Sequence, residues 1–234
     1  MLAINFLNRG KTVDATLSSI EVRVLGALIE KQLSTPDYYP LSLNALMNAC
    51  NQLSNREPVV SYDEDTVLKA LESLRKKSLV RAISGPDMRV PKYAHNMEEF
   101  FNLAIQEVAV LCVLMLRGIQ TIGEIRGRSA RLYEFTDLSE VELTIQGLVE
   151  RQPQALVVKL ARQPGTKESR YSHLLGGMVE VERATQIKEV EFITPSVKSN
   201  ENERVDKLEK EVEELREQIT SLSQQFQEFK RQFE

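Results

Sequence analysis

Lys92-Tyr93-Ala94-His95 and Arg170-Tyr171-Ser172-His173 hold the only two histidines of this 234-residue chain, in one repeated pattern of base, tyrosine, variable residue and histidine. A matched pair of imidazoles has two uses. Each could serve proton transfer or metal binding, or each Tyr could pack under a hairpin while its His caps a strand end. Zinc needs a second His or Cys at ligand spacing, and neither copy supplies one. No metal is therefore expected. Cys50 and Cys112 both lie in apolar helical patterns, which points to buried thiols rather than a disulfide. The sequence has no phosphate-binding loop, dinucleotide fingerprint, paired-cysteine motif or HExxH, and its carboxylates fall on amphipathic helix faces. No catalytic residue, no cofactor and no enzymatic activity are expected.

The cations offer different chemistry. Arg126, Arg128 and Arg131 stand within six residues, with Arg162, Lys167 and Arg170 downstream and Arg89 and Lys92 in the earlier copy. Guanidinium and ammonium groups grouped in this way can neutralise phosphates, so these eight are the candidate nucleic-acid contacts. The competing reading is a solvated face whose arginines pair with Glu124 and Glu134. Neighbouring helices argue against a simple DNA reader. Residues 63–77 mix Asp63, Glu64, Asp65 and Glu72 with Lys69, Arg75, Lys76 and Lys77, and residues 137–151 set Asp137, Glu140, Glu142 and Glu150 against Arg151 alone. An acidic helix is repelled by a phosphate-lined groove, so a protein-docking scaffold stands beside nucleic acid as a reading. Asn55-Arg56-Glu57-Pro58 and Tyr133-Glu134-Phe135 could then be contact surfaces, or simply tightly packed loops.

The elements that would position these groups form an internal repeat with a period near 80 residues. LSSIEVRVLGALIEK predicts a helix with Ser18 and Glu21 as capping box, and Pro36 and Pro40 stop it. SLNALMNACN predicts a second helix. A third runs from about Asp63 to Lys77, capped by Ser61 and Glu64. LVRAIS, GPDM and RVPKYAH read as strand, turn and returning strand. The order then recurs. LAIQEVAVLCVLMLRG ends at Gly118, TIGEIRGRSARL opens with a Thr121–Glu124 box, and LSEVELTIQGLVERQ has Ser139 and Glu142 as its box. ALVVKLA and SRYSHLL flank a QPGTKE turn. Three helices and a hairpin, twice in register, predict two tandem winged helix-turn-helix domains, mainly α with small β-hairpins.

SNREPVV, QTIGEIRGRSARLYEF and LARQPGTKESRYSHL also resemble the YceH-type proteins of proteobacteria, over roughly residues 17–176. That resemblance implies the same tandem winged-helix fold and carries over no catalytic or ligand residues.

The net charge of −4 is unevenly spread. Residues 17–98 hold ten bases and ten acids, residues 99–175 nine of each, and residues 176–234 nine bases against fourteen acids. The acidity belongs to the tail. The resulting organisation is an extension (1–16), two winged-helix domains (17–98 and 99–175), a linker (176–202) and a coiled-coil helix (203–234). No apolar run reaches the ~18 residues of a membrane span, and the first residues lack a signal peptide's pattern. A cytoplasmic protein without a membrane is expected, with possible nucleic-acid or protein partners.

Val205, Val212, Ile219, Phe226 and Phe233 occupy heptad position a, and Leu208, Leu215, Leu222 and Phe229 position d. A strict two-position seam is the pattern a partner helix buries, whereas docking on the chain's own domains needs a wider stripe. Branched residues at a with Leu at d favour a parallel pair, in which Arg204 meets Glu209 and Glu211 meets Arg216 across the interface. A homodimer is the expected outcome, with a helix folded back on its own domains as the alternative. Light scattering should give a dimer for the full chain and a monomer for a chain truncated after Ser199. A full-length monomer at micromolar concentration would end the coiled-coil reading.

Overall fold

In the computed structural model, the described residues are 16–86, 88–162 and 168–177. Residues 1–15 of the N-terminal extension, Lys167, nearly all of the linker and the heptad tail lie outside them. The chain divides into two units, Met1–Thr185 and Gln186–Glu234, and every described residue belongs to the first.

The described part is mainly helical, with two small antiparallel sheets. Helix α1 (Ser19–Ser34) leads into β1 (Leu41–Ser42), α2 (Leu43–Cys50), α3 (Glu64–Lys76), β2 (Val80–Ile83) and β3 (Lys92–His95). A short helix α4 (Met97–Phe101) connects to α5 (Ile105–Arg117), β4 (Gln120–Thr121), α6 (Ile122–Ser129), α7 (Leu138–Val149), β5 (Val157–Lys159) and β6 (Arg170–His173). The sheets have the orders β1-β3-β2 and β4-β6-β5. Tyr93 faces Leu41 and Ala82, and Tyr171 faces Gln120 and Lys159, so both basic-Tyr-x-His segments form the middle strand in the same register.

The sequence patterns predict two-stranded hairpins, and the third strand of each sheet is an addition. β1 and β4 are two residues long, and Ser42 and Thr121 also cap the helices that follow, so no period-2 pattern could reveal them. Helix α4 is a second addition. It spans the expected boundary at residues 98 and 99.

Two caps differ from expectation. The Ser18–Glu21 and Thr121–Glu124 boxes are present. However, α3 is capped by Asp63, whose Oδ1 accepts from the Thr66 amide at 2.8 Å, and α7 by Asp137, which accepts from the Glu140 amide at 2.9 Å. Ser61 cannot serve, because the next residue, Tyr62, is held outside the helix by paired hydrogen bonds to the Asn51 side chain, each 2.8 Å. Ser139 falls inside α7, because the carboxylate two residues earlier already starts the helix.

The two repeats share one hydrophobic core, in which α1 and α5, each with a long buried run, are the central layer. Gly26 on α1 lets them approach: a Cβ there would lie 3.0 Å from Leu116 Cδ2 and 3.3 Å from Met115 Cβ. At the ends, the Leu17 amide donates to the Leu175 carbonyl at 2.8 Å. Two ion pairs recur at equivalent places. Glu21 of α1 meets Lys77 just past α3 at 2.6 Å, and Glu107 of α5 meets Arg151 just past α7 at 3.4 Å.

Gly26→Val should therefore destabilise the protein by roughly 1–3 kcal/mol, the usual cost of overpacking. Urea unfolding checks it, and Leu116→Ala in the same chain should recover part of the loss, as expected for residues that touch. Full additivity of the two changes would show that the helices do not meet at Gly26.

Candidate nucleic-acid interface

The candidate cations divide once their partners are known. Glu124 Oε1 lies 3.7 Å from Arg128 and Glu124 Oε2 lies 3.5 Å from Arg170, so one carboxylate compensates two of the eight. Arg128 also donates to the Gln120 side chain. Arg126 donates to the Thr136 carbonyl at 2.9 Å, and Arg162 Nε to Ser169 Oγ at 3.3 Å. Arg131 and Arg89 are exposed and Lys92 is half-buried, and none of the three has an ion pair among the described residues. The structure therefore brings Arg128 and Arg170 together, but around a carboxylate rather than around free space. Glu134, the other expected partner, is exposed and takes no part.

The denser grouping of uncompensated charge is on the first repeat. An open groove between α3 and β2 is lined by Glu72, Arg75, Lys76, Val80, Arg81 and Ala82. Arg75, Lys76 and Arg81 are exposed, and among the described residues none of them forms an ion pair. Lys77, next in sequence, is removed from this set by its pairing with Glu21. Lys69 is likewise taken by Asp65 at 2.5 Å. Arg81 and Lys92 stand on the same face of the sheet, since Arg81 pairs with Ala94 and Lys92 is two residues from it. In sequence these bases are diluted by the acids of the same helix. The expected helix already puts Asp63, Glu64 and Asp65 at the N-terminal end of α3 and Arg75 and Lys76 at the other, and the fold sets that second end beside the sheet.

The second repeat presents a different third helix. Leu138 and Leu143 of α7 are 49% and 73% exposed, with Glu142 beside them, and α7 itself carries no base.

The loop Asn55–Pro58 is packed, not free. Arg56 is buried and bidentate to Glu30, at 2.6 and 3.0 Å. Its Nε and Nη2 also donate to the Ala49 carbonyl at the end of α2, at 3.1 and 2.7 Å. Arg23 is buried beside it and donates to the Cys50 and Pro58 carbonyls at 3.1 and 2.6 Å. Burial and the nearby Arg56 charge lower the Arg23 pKa. The Tyr133–Phe135 stretch is packed as well: the rings meet edge to face at 4.8 Å, and the Tyr133 hydroxyl donates to Glu140.

The histidines lie within the sheets. His95 is buried, its amide donates to the Tyr39 hydroxyl, and its Nδ1 accepts from the Met97 amide. Burial lowers both imidazoles to about 4, with the Arg81 charge adding to the effect at His95. Both cysteines are buried thiols, and burial pushes Cys50 up to about 12. Among the described residues, no three His, Cys, Asp or Glu side chains gather to hold a metal, and no helix is long and apolar enough to cross a membrane.

Comparison with known sequences places the chain. The family described as "Protein of unknown function, DUF480" matches residues 17–166. This chain belongs to that family. A "UPF0502 protein" of Opitutus terrae is 56% identical over 168 residues, covering 72% of this chain and 73% of its own length. One from Solibacter usitatus is 51% identical over 205 residues, covering 86% and 94% respectively. One from Geotalea daltonii is 53% identical over 222 residues, covering 95% of this chain and all of its own. The relatives thus come from diverse bacteria. The similarity also reaches beyond the residue 17–176 region of the sequence resemblance, because a 95% share must enter the heptad tail.

A buried neutral His95 makes stability pH-dependent. The folded pKa lies below the unfolded value of about 6.5, so the unfolded state takes up the proton first. Stability is complete above pH 6.5 and falls as pH drops toward 4, by roughly 2 kcal/mol between pH 7 and pH 5 from this residue alone. Urea midpoints across that range should flatten in His95→Asn, which keeps an acceptor for the Met97 amide. An unchanged slope would show that His95 is not the titrating group.

Proposed function

We propose that this family member is a non-enzymatic nucleic-acid-binding protein that uses its first repeat, each repeat being a winged helix and the tail a dimerising coiled coil. The order of helix, short strand, helix, helix and hairpin supports the winged-helix reading, as does the pairing of the short strand with the hairpin's second strand. The resemblance to YceH-type proteins points the same way. The observation that carries the nucleic-acid reading is the groove between α3 and β2, lined by Arg75, Lys76 and Arg81 with Glu72, where none of the three cations forms an ion pair among the described residues. Three uncompensated cations on a third helix and its adjoining strand can contact successive phosphates. The second repeat's set, Arg126, Arg128, Arg131, Arg162 and Arg170, plays a lesser part, because Glu124 compensates two of its members.

A protein-docking reading is favoured by the exposed Leu138 and Leu143 on α7. It is compatible with nucleic-acid binding by the other repeat. A pull-down with and without nuclease treatment separates partners held by nucleic acid from those held directly.

Gel-shift titration should show salt-sensitive binding. Arg75→Ala, Lys76→Ala and Arg81→Ala together should weaken it tenfold or more. They should also flatten the slope of log K against log salt by ~0.9 for each duplex phosphate that is no longer neutralised. Arg128→Ala with Arg170→Ala should have a smaller effect. Absence of binding to any nucleic acid at low salt sinks this reading.

A further inference from the structure

The hairpin joining β2 to β3 carries exposed apolar side chains. Met88 and Val90 are 41% and 53% exposed, and Arg89 between them is exposed and has no ion pair among the described residues. The segment is shaped rather than loose, with the Met88 amide donating to the Gly85 carbonyl at 3.0 Å and Pro91 leading into β3. Apolar side chains held in water beside an exposed guanidinium, at the end of a basic surface, suit a partner that is anionic outside and apolar within. The second repeat lacks this device. Between Arg162 and Ser169 its sequence reads Gln-Pro-Gly-Thr-Lys-Glu, with no large apolar residue.

We propose that Met88, Arg89 and Val90 enter the minor groove of A/T-rich duplex DNA, Arg89 reading the groove's narrowness and an apolar neighbour wedging at a base step. This rests on the nucleic-acid reading above and names its form. The groove is about 6 Å wide, too narrow for two strands ~5 Å apart with side chains on both faces, but wide enough for an arginine at the tip. A/T tracts narrow the minor groove and deepen its negative potential, which draws in arginine. Apolar wedges in that groove partly unstack a step and bend the duplex away. Duplex RNA presents a wide, shallow minor groove, where neither effect is available. Arg81, Lys92, Arg75 and Lys76, on the adjoining strands and helix, supply phosphate contacts that hold the tip in place.

The test uses the full-length protein on fluorescent duplexes of equal length: an A/T tract, a G/C tract and an RNA duplex, plus vesicles of anionic lipid. The A/T duplex should bind several-fold tighter than the other two, and end-to-end energy transfer should report its bending. Arg89→Ala should weaken the A/T duplex several-fold more than the G/C duplex and so abolish that preference. Met88→Ser with Val90→Ser should remove the bend. The Arg75, Lys76 and Arg81 substitutions should weaken all duplexes alike. Equal binding of A/T and G/C, equal binding of RNA, or an Arg89→Ala weakening shared equally by every duplex overturns the minor-groove inference and leaves nucleic-acid binding standing. Vesicle binding that needs Met88 and Val90, without bending of DNA, assigns the tip to a lipid surface instead. Failure to bind any duplex removes both readings.

Discussion

A guanidinium taken out of water costs several kcal/mol unless each of its hydrogens meets an acceptor, and Arg56 meets that demand in full. Its five N–H groups are shared among Glu30, Ala49, Gln52 and Asn55. Arg23 adds the Cys50 and Pro58 carbonyls. Two of these acceptors, Ala49 and Cys50, are carbonyls at the C-terminal end of α2, which a helix leaves without intrahelical partners and which carry partial negative charge. Two arginines thus end α2 and gather the following loop against α1 in a single step. The same loop then reaches the second repeat. The Glu57 amide donates to the Leu116 carbonyl at 2.9 Å, and Arg117 donates to the Asn55 side chain, whose residue has a φ of 62°. Loop, α1 and the end of α5 are consequently one packed unit, and the separation between the two third helices is set by it.

On that frame the repeats keep their structural chemistry and differ in their surface chemistry. Both keep a buried Tyr in the middle strand, a His paired opposite a Val, and a base after the third helix paired to a glutamate in the first. What differs is outward. α3 offers Arg75 and Lys76 to solvent where the second repeat has the half-buried Val149 at the end of α7 and Glu150 just past it, and Lys69 of α3 stands where α7 has Leu143. Substitutions at exposed positions cost little stability, so surface chemistry can diverge while the shared frame is retained.

Much of this is legible in the sequence, and the parts that are not have physical reasons. Among the described residues, six of the seven α-helices follow from the sequence patterns, and two of the caps from Ser/Thr-x-x-Glu patterns. The caps of α3 and α7 escape that pattern because Asp63 and Asp137 lie within two residues of the serines, and spacing alone cannot rank rival acceptors. The Arg126–Arg131 group stands out because its charges are adjacent in sequence, but Arg170 and Arg128 converge on Glu124 only after β6 pairs with β4. Conversely, Arg75 and Arg81 belong to different elements, so their common groove exists only in three dimensions. The loop Asn55–Pro58 stands out in the sequence, with tight packing as one of its two readings, but nothing there marks Arg56 as its buried residue. A loop arginine reads as solvated until the acceptors around it are known.

The acids at the start of α3 constrain how a polyanion could approach. Asp63, Glu64 and Asp65 favour the helix, because negative charge near its N-terminus opposes the positive end of the macrodipole. Hydrogen bonds from Thr66 hold the Asp63 carboxyl below its usual range, so it keeps its charge. Within a Debye length of about 10 Å at ordinary salt, those charges repel phosphates. An approach led by the N-terminal turn of α3, the usual reading end of a recognition helix, is therefore disfavoured. At the other end the sign reverses, with Arg75 and Lys76 in the last turn and Arg81 on the strand beside it. A duplex drawn to that end lies across the C-terminal turn of α3 and along β2 and β3, which lead directly to the hairpin tip. For a polyanionic partner, the charge order along α3 thus favours contact through the hairpin over insertion of the helix.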